Sequence, residues 1–491
     1  MFLRTKILFL FSLLLAGACS GGPAQKRVIG CEEDISGLKV GVVTGSCYDM
    51  DLSARGDVEV LRFNTEADQA NAIVNGLVDV GVHDEVVFAP DHLKEMGLKV
   101  AFKGKESYAA AFGFRKSEKD LLTAYNEFFA RATASGVVDS LRAVWLDCDG
   151  QYPDPLHVYP NNEPGEPIVV GTAGAVAPVS FRIEQDWFGI ESELMYLFGE
   201  YLGRPIVFKS LASASIMMSL QTGDIDIMMG CVFVTEERLQ RFDFSTPYHY
   251  YHCSYFVRDD DAGRSSTSLW QKFKDGINQN LIVEGRWRFI TDGLWETIKI
   301  TLLSILLGSI LGIGLCFMSG SKRRWIKQTA SLYKAFMERM PMLVLLLIMF
   351  YVVFGGAGIG ASSIAVIAFG LNFAASAGGV FRTALDSVPR GQTEAGLALG
   401  FTRFQTFSGI VLPQAVKKGL PLYTGQCVSL LKGTSIVGYI AIHDLTRASD
   451  IIRSRTFDAL LPLLVVTILY FLLAWIITWL LKLIFKKTCR V

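Results

Sequence analysis

From Glu296 onward, apolar runs of membrane-spanning length alternate with short polar segments, whereas residues 20–290 mix charged and apolar positions as a water-soluble protein does. Five runs approach the ~20 residues a bilayer core requires, at 296–318, 341–357, 361–381, 420–442 and 459–481. The second is short and meets the third through a glycine-rich turn, "GGAGIGASS". Ahead of the runs the periodicity changes. "IVVGT" and "IVFKS" read as buried strands, with an amphipathic helix over 190–202 between them. "EADQANAIVNGLVDVGVHDE" reads as a helix stopped at Gly76, then a strand ending at Asp84. The pattern predicts an external α/β part followed by an all-α membrane domain of five spans.

Charge sets the orientation. The 47 basic and 47 acidic residues cancel, which points away from nucleic acid, so only their placement informs. Segments 319–340, 382–419 and the tail after 481 hold fifteen Lys and Arg, against three in the loops on the other side. That bias puts those segments and the C-terminus in the cytoplasm of a bacterial inner membrane and residues 20–290 outside. The opening "MFLRTKILFLFSLLLAGACSGG" agrees: two basic residues, a short apolar core and small residues make an export signal over residues 1–19. Cys19 stands where an acylated cysteine would, although Ala16 replaces the usual larger aliphatic.

Other chemistry is thin. Nine Cys and six His never cluster at ligand spacing, which argues against a metal site. "KGKES" at Lys103 lacks the spacing of a phosphate-binding loop, so no cofactor or nucleotide site is expected in this chain, and no bond chemistry.

Between the third and fourth runs lies "EAGLALGFTRFQTFSGIVLPQA". Glu394 to Leu399 can form a short helix, Gly400 breaks it, and a second amphipathic stretch follows to Pro413. Glu394, Ala395, Gly400, Ile410 and Pro413 resemble the EAA loop of ATP-binding-cassette (ABC) importer permeases, with Gly396 in place of the usual Ala. The resemblance implies a coupling element that docks on a separate ATPase subunit. It extends from Asp292 to the end, through "GLWETIKITLLSILLG" and "LNFAASAGGVFRTALDSVPRGQ", and is strongest to permeases for polar amino acids. Family members pair, so a homodimer or a second permease is implied. In the fourth run Lys432, followed by Thr434 and Ser435, is a candidate for the translocation path, since an intramembrane lysine is costly.

The external part resembles periplasmic amino-acid-binding proteins in two pieces. "QTGDIDIMM" and "TEERLQRFDFSTPYHY", within 167–260, are similar to lobe one; "ISGLKVGVVTGSCYD" and the segment to 150 are similar to lobe two. Lobe two therefore comes first, which reads as a circular permutation with linkers at 151–166 and 261–291 and the permease domain at 292–491. The resemblance implies a two-lobed fold in which Arg238 takes a ligand carboxylate and Asp84 its ammonium. Gly45 and Ser46 would assist at the carboxylate, and Phe181 would cushion the solute. Phe233 and Cys231 depart from the family's Thr and Gly and make the pocket less polar. The expected substrate is a small polar solute such as glutamine, glutamate or a derivative. A ligand-gated channel or a membrane sensor on the same binding fold is the alternative, but neither explains the loop at Glu394.

Overall fold

The computed structural model describes residues 29–485, except 87–92, 94–95, 148–155, 174, 184–185, 212, 260–273, 275, 356–358, 457 and 459. The expected export signal and Cys19 lie outside the described residues, as does much of the expected linker at 261–291.

Residues 39–258 build two five-stranded sheets, and each draws strands from both ends of that stretch. In the first, β1 (Lys39–Val43) runs parallel to β2 (Glu59–Phe63) and β3 (Val80–Asp84). Helix α1 (Cys47–Arg55) follows β1, and α2 (Glu66–Val74) follows β2. Strand β4 (Leu98–Ala110) forms the far edge. The chain then crosses to the second sheet as β5 (Gly113–Arg115) and continues as α3 (Lys119–Ala134) and α4 (Val137–Trp145).

The second sheet continues with β6 (Ile168–Thr172), and a small three-stranded sheet follows, β7 (Ala175–Val176), β8 (Ser180–Ile183) and β9 (Asp186–Phe188). Next come α5 (Ile190–Leu202), β10 (Ile206–Ser210), α6 (Ser213–Thr222), β11 (Ile227–Met228), α7 (Glu236–Leu239) and β12 (Phe242–Phe244). Of these, β10, β11 and β12 join the second sheet. Strand β13 (His249–Arg258) returns to the first sheet and pairs antiparallel with both β3 and β4. Reciprocally, β5 sits antiparallel between β11 and β12.

The sheets therefore cut across the boundaries expected at 150 and 167. Residues 113–145, expected in lobe two (the first lobe, built on the first sheet), belong with the second lobe, built on the second sheet: Tyr125 of α3 packs edge-on against Phe198 of α5, with ring centroids 5.1 Å apart. These aromatics are buried with Phe112, Phe114 and Trp145 in one core, where fully buried aromatic side chains contribute a large share of packing energy. Two adjacent crossings, 110–113 and 244–249, link the lobes. They are tied together by Ser245 N to Phe112 O (2.9 Å) and Tyr248 N to Ala110 O (3.0 Å). Two hydrogen-bonded strands of this kind make a hinge.

Beyond residue 273 the described chain is helical. Three helices are long and apolar enough to cross a membrane: α8 (Trp287–Ser319), a 26-residue helix at Ala361–Asp386 and another at Leu460–Phe485. The second and fourth expected spans are bent pairs instead. Helix α9 (Arg324–Arg339) meets α10 (Met342–Leu347) and its π-helical continuation to Val353 at 104°. The apolar limb is therefore shorter than the expected 341–357. Pro341, the N-cap of α10, has an extended ψ of 131° and sets the bend. The 26-residue helix Ala361–Asp386, α11, packs along α8 through small residues: a Cβ on Gly308 would meet Gly370 O at 2.7 Å. Backbones approach that closely only where side chains are small.

After α11 come α12 (Arg390–Ala398), α13 (Arg403–Thr406), a π-helical turn at Phe407–Val411 and α14 (Leu412–Gly433). A 3-10 segment Thr434–Ile440 leads to α15 (Leu445–Thr456), and α16 (Leu460–Phe485) ends the described chain. Arg403 to Ile440 and α15 form the second bent pair, at 54°.

Candidate functional site: an interlobe cleft and a helical elbow

A cavity of about 350 Å³ lies between the two sheets. From the first lobe it is lined by the β1–α1 turn and the end of β3; from the second, by the chain after β11 and by α7. Gly45 takes φ +75° at the turn, a conformation that favours glycine. Ser46 caps α1, its hydroxyl oxygen accepting from Asp49 N at 3.2 Å. Across the cleft Thr235 caps α7 and accepts from Arg238 N, which fixes the root of the Arg238 side chain.

Arg238 and Asp84 are both buried, 7% and 2% exposed, and both line this cavity. Arg238 Nη1 donates to Phe233 O (2.8 Å) and Nη2 to Gly45 O (3.1 Å), so one guanidinium touches both lobes. Its Nε is buried without a partner, and among the described residues no carboxylate pairs with it. Burial holds its pKa below the ordinary arginine value. Asp84 accepts from Tyr48 Oη and, at 3.5 Å, from Cys231 Sγ. Burial pushes the Asp84 carboxyl pKa up; neighbouring His83 and the Tyr48 hydroxyl offset this only in part. A buried cation and a buried carboxylate thus face one small cavity; Arg238 has no carboxylate partner among the described residues, and Asp84 has His83, whose Nδ1 lies 3.5 Å from its Oδ2. Buried charges normally have an ionic partner.

Gly45, Ser46, Asp84 and Arg238 are therefore brought together, with Cys231 and Phe233 beside them. Phe181 is not. It lies in β8 with its ring against Trp145 (5.8 Å) and Phe188 (6.0 Å), inside the aromatic core. The strand pairing of β8 with β7 and β9 commits that side chain to the core. Aromatic walls come instead from Tyr48 and Phe233, whose rings are 6.2 Å apart.

Glu191 was not anticipated. It is fully buried in the first turn of α5 and accepts from Gly230 N (2.8 Å), Cys231 N (2.9 Å) and Tyr248 Oη (2.7 Å). Gly230 (φ +111°) and Cys231 (φ +56°) are left-handed residues lining the cavity, so this carboxylate holds a strained turn in place. Burial raises its pKa to about 7. In sequence, "GIESELM" shows only an acidic residue at a helix start, a position acids commonly occupy.

The segment at Glu394 is a helix–turn–helix elbow. Helix α12 ends at Ala398, Gly400 adopts φ +86°, and Thr402 with Gln405 forms a capping box that starts α13. An added Cβ at Gly400 meets nothing within 4 Å, so within this chain the glycine is needed for its backbone angle, not for space. Gly396 is the reverse. Its Cβ would stand 2.7 Å from Thr406 Cγ2 and 3.0 Å from Ile410 Cδ1, so an Ala there, expected to be harmless, is crowded. Glu394 and Ala395 are exposed, Pro413 occupies the first turn of α14, and Leu399 and Phe404 are each 77% exposed. The elbow thus ends in an uncovered apolar tip.

At the other end of α14, Lys432 is exposed. Thr434 is fully buried and donates to Leu431 O, while Ser435 donates to Lys432 O. Neither hydroxyl is free to line a path in this chain alone. Just beyond, α15 lies against both lobes of the α/β unit. Arg447 donates to Leu211 O (2.9 Å), Arg453 pairs with Asp68 of α2, and Arg455 donates to Arg182 O. Ser215 of α6 adds a bond to Tyr439 O at 2.9 Å. No group of three or more His, Cys, Asp or Glu side chains is arranged to hold a metal ion among the described residues.

Comparison with known proteins agrees with this two-part organisation. Residues 168–340 match the bacterial extracellular solute-binding proteins, family 3, and residues 304–489 match the binding-protein-dependent transport system inner membrane component family. An L-cystine transport system permease of Bacillus subtilis (strain 168) is 34% identical over 210 residues, covering 42% of this chain and 88% of the relative. An arginine transport system permease of the same organism is 31% identical over 204 residues, covering 40% and 92%. Among solved structures, a chain of an amino acid ABC transporter with histidines is similar at 28% identity and a TM-score of 0.38, over 45% of this chain and 99% of that one. The chain belongs to the inner-membrane permeases of binding-protein-dependent ABC importers and carries an extracellular solute-binding unit of family 3 in the same polypeptide.

Proposed function

We propose that the interlobe cavity binds one α-amino acid, with Arg238 and the Gly45–Ser46 turn on its carboxylate and Asp84 on its ammonium. The observation that carries this reading is the pair of buried, opposite charges on one 350 Å³ cavity. A zwitterion supplies a carboxylate for Arg238 and an ammonium for Asp84, and an Arg fork suits a carboxylate in a way Lys does not. The cavity lies at the small end of ordinary ligand sites, roughly 300–1,000 Å³, which favours one amino acid over a peptide. Names of the relatives, which include cystine and arginine permeases, favour amino acids as a class.

Capture is followed by passage through the membrane half, as a dimer or with a second permease, and work comes from a separate ATPase seated on the elbow. The uncovered Leu399 and Phe404 support the elbow as that seat. Contacts of α15 with both lobes support residues 443–458 lying on the same side as the binding unit. About 22 residues of α14, roughly 33 Å at 1.5 Å per residue, separate them from the elbow, in keeping with a cytoplasmic elbow and five spans. The two sequence segments act as one receptor, permuted relative to the family's usual order, because each sheet borrows a strand from the other segment.

Isothermal titration of the detergent-solubilised full chain against the common amino acids tests this. The reading expects saturable binding of one ligand per chain. Asp84→Asn is expected to weaken it by about 2–5 kcal/mol, as breaking a buried charge pair does. Two ligands per chain would contradict the single permuted receptor, and no binding by a folded chain would contradict the site.

A further inference from the structure

The cavity's polar side chains are almost all committed to one another. Thr44 donates to Phe63 O and Tyr48 to Asp84, while His83 lies 3.8 Å from Glu66 Oε1 and 3.5 Å from Asp84 Oδ2, so that the Glu66 carboxylate is answered from within the protein, by His83 and by the more distant charge of Arg447. Gly45 N donates to Asp49 and Ser46 N to Val43 O, so what is left for a ligand is Arg238, the remaining lone pairs of Asp84 and the hydroxyl hydrogen of Ser46, all used by an amino acid's head group in the function proposed above. The rest of the wall is apolar: Ile216, Met217, Met228, Val232 and Phe233 from the second lobe, Met50 from the first. Cys47 and Cys231 also line it, and burial raises both thiol pKa values, so they stay neutral.

A side chain ending in an amide, carboxylate or guanidinium would therefore enter a wall with no unspent group to receive it. Leaving such a group unpaired is costly. Methionine side chains, unbranched and polarizable, adapt to an apolar or thioether guest and make favourable sulfur–aromatic contacts.

We propose that the side-chain subsite takes a neutral L-α-amino acid with an apolar or thioether side chain of about methionine size, in place of the polar amino acid expected from the sequence. This rests on the amino-acid reading of the head-group site and narrows it.

The test is titration of the full chain in detergent with L-methionine, L-leucine, L-methionine sulfoxide, L-glutamine, L-glutamate and L-arginine, with thermal melting as the check that the chain is folded. Methionine and leucine should bind. The sulfoxide, which adds one polar oxygen at nearly constant shape, should bind roughly a hundredfold more weakly, on the scale by which an apolar pocket rejects a polar isostere. Glutamine, glutamate and arginine should bind weakest. If any of these three binds more tightly than methionine and leucine, or if the sulfoxide binds as well as methionine, the apolar subsite is wrong while the head-group reading stands. If no amino acid binds a folded chain, the head-group reading itself fails.

Discussion

Glu191 shows how a buried carboxylate can shape a binding site without facing it. Two of its three hydrogen bonds fix Gly230 and Cys231, the third comes from Tyr248 Oη, and burial raises its pKa from 4.5 to about 7. A group that holds its proton more tightly when folded stabilises most below its unfolded pKa, and loses that contribution as pH rises through the folded value. The span is about 2.5 units, or about 3 kcal/mol between pH 4.5 and 7. Melting curves across that window should show the wild-type chain losing stability as pH rises relative to Glu191→Gln, which cannot titrate. Parallel curves would mean that the carboxylate titrates normally. That Arg238, Asp84, Gly45 and Ser46 would line one cavity was legible in the sequence, because each stands in a recognisable string at a strand or helix end. Glu191 was not, because its role depends on a turn 39 residues away. Phe181 lies in the core instead of the cavity because its string leaves open which side of a strand a ring takes, and pairing with β7 and β9 decides it.

At the scale of elements, the proposed coupling rests on the elbow and on α15. Gly400 has φ +86° and open space around it, so the penalty of a substitution is conformational, about 1–2 kcal/mol for an ordinary residue. Gly400→Val should weaken co-purification with the ATPase and slow transport, while Gly400→Asn, which tolerates the left-handed region, should retain more of both. Equal behaviour of the two variants would remove the backbone angle as the cause. Helix α15 makes a separate prediction. Arg453 reaches Asp68 in the first lobe, while Arg447 and Arg455 reach the second. Arg453→Ala should reduce transport and ligand-stimulated ATP hydrolysis more than it reduces ATPase co-purification, because it loosens one lobe from the membrane half and leaves the elbow intact. Unchanged stimulation would show that this contact carries no signal. Element types were readable from periodicity, but the bend at Pro341 was not, since an apolar run looks the same whether its helix is straight or enters at 104°. Nor did three arginines between two apolar runs reveal that their partners lie more than 200 residues away.

For the whole molecule, the sequence suggests an order of segments but does not reveal the exchange of strands between sheets. Strand β13 pairs with β3 and β4, and β5 with β11 and β12, contacts between positions too distant for any local pattern to announce. Because of that exchange neither half of the receptor closes a complete sheet alone, and the receptor's last strand leads toward the first membrane helix. The central claim is that capture and passage reside in one polypeptide. Uptake into proteoliposomes holding only this chain and its co-purifying ATPase tests it most directly, using the amino acid that binds tightest in solution. The account predicts ATP-dependent uptake with no added binding protein, abolished by Asp84→Asn. Uptake that appears only when a separate solute-binding protein is supplied, or that survives Asp84→Asn unchanged, would contradict it.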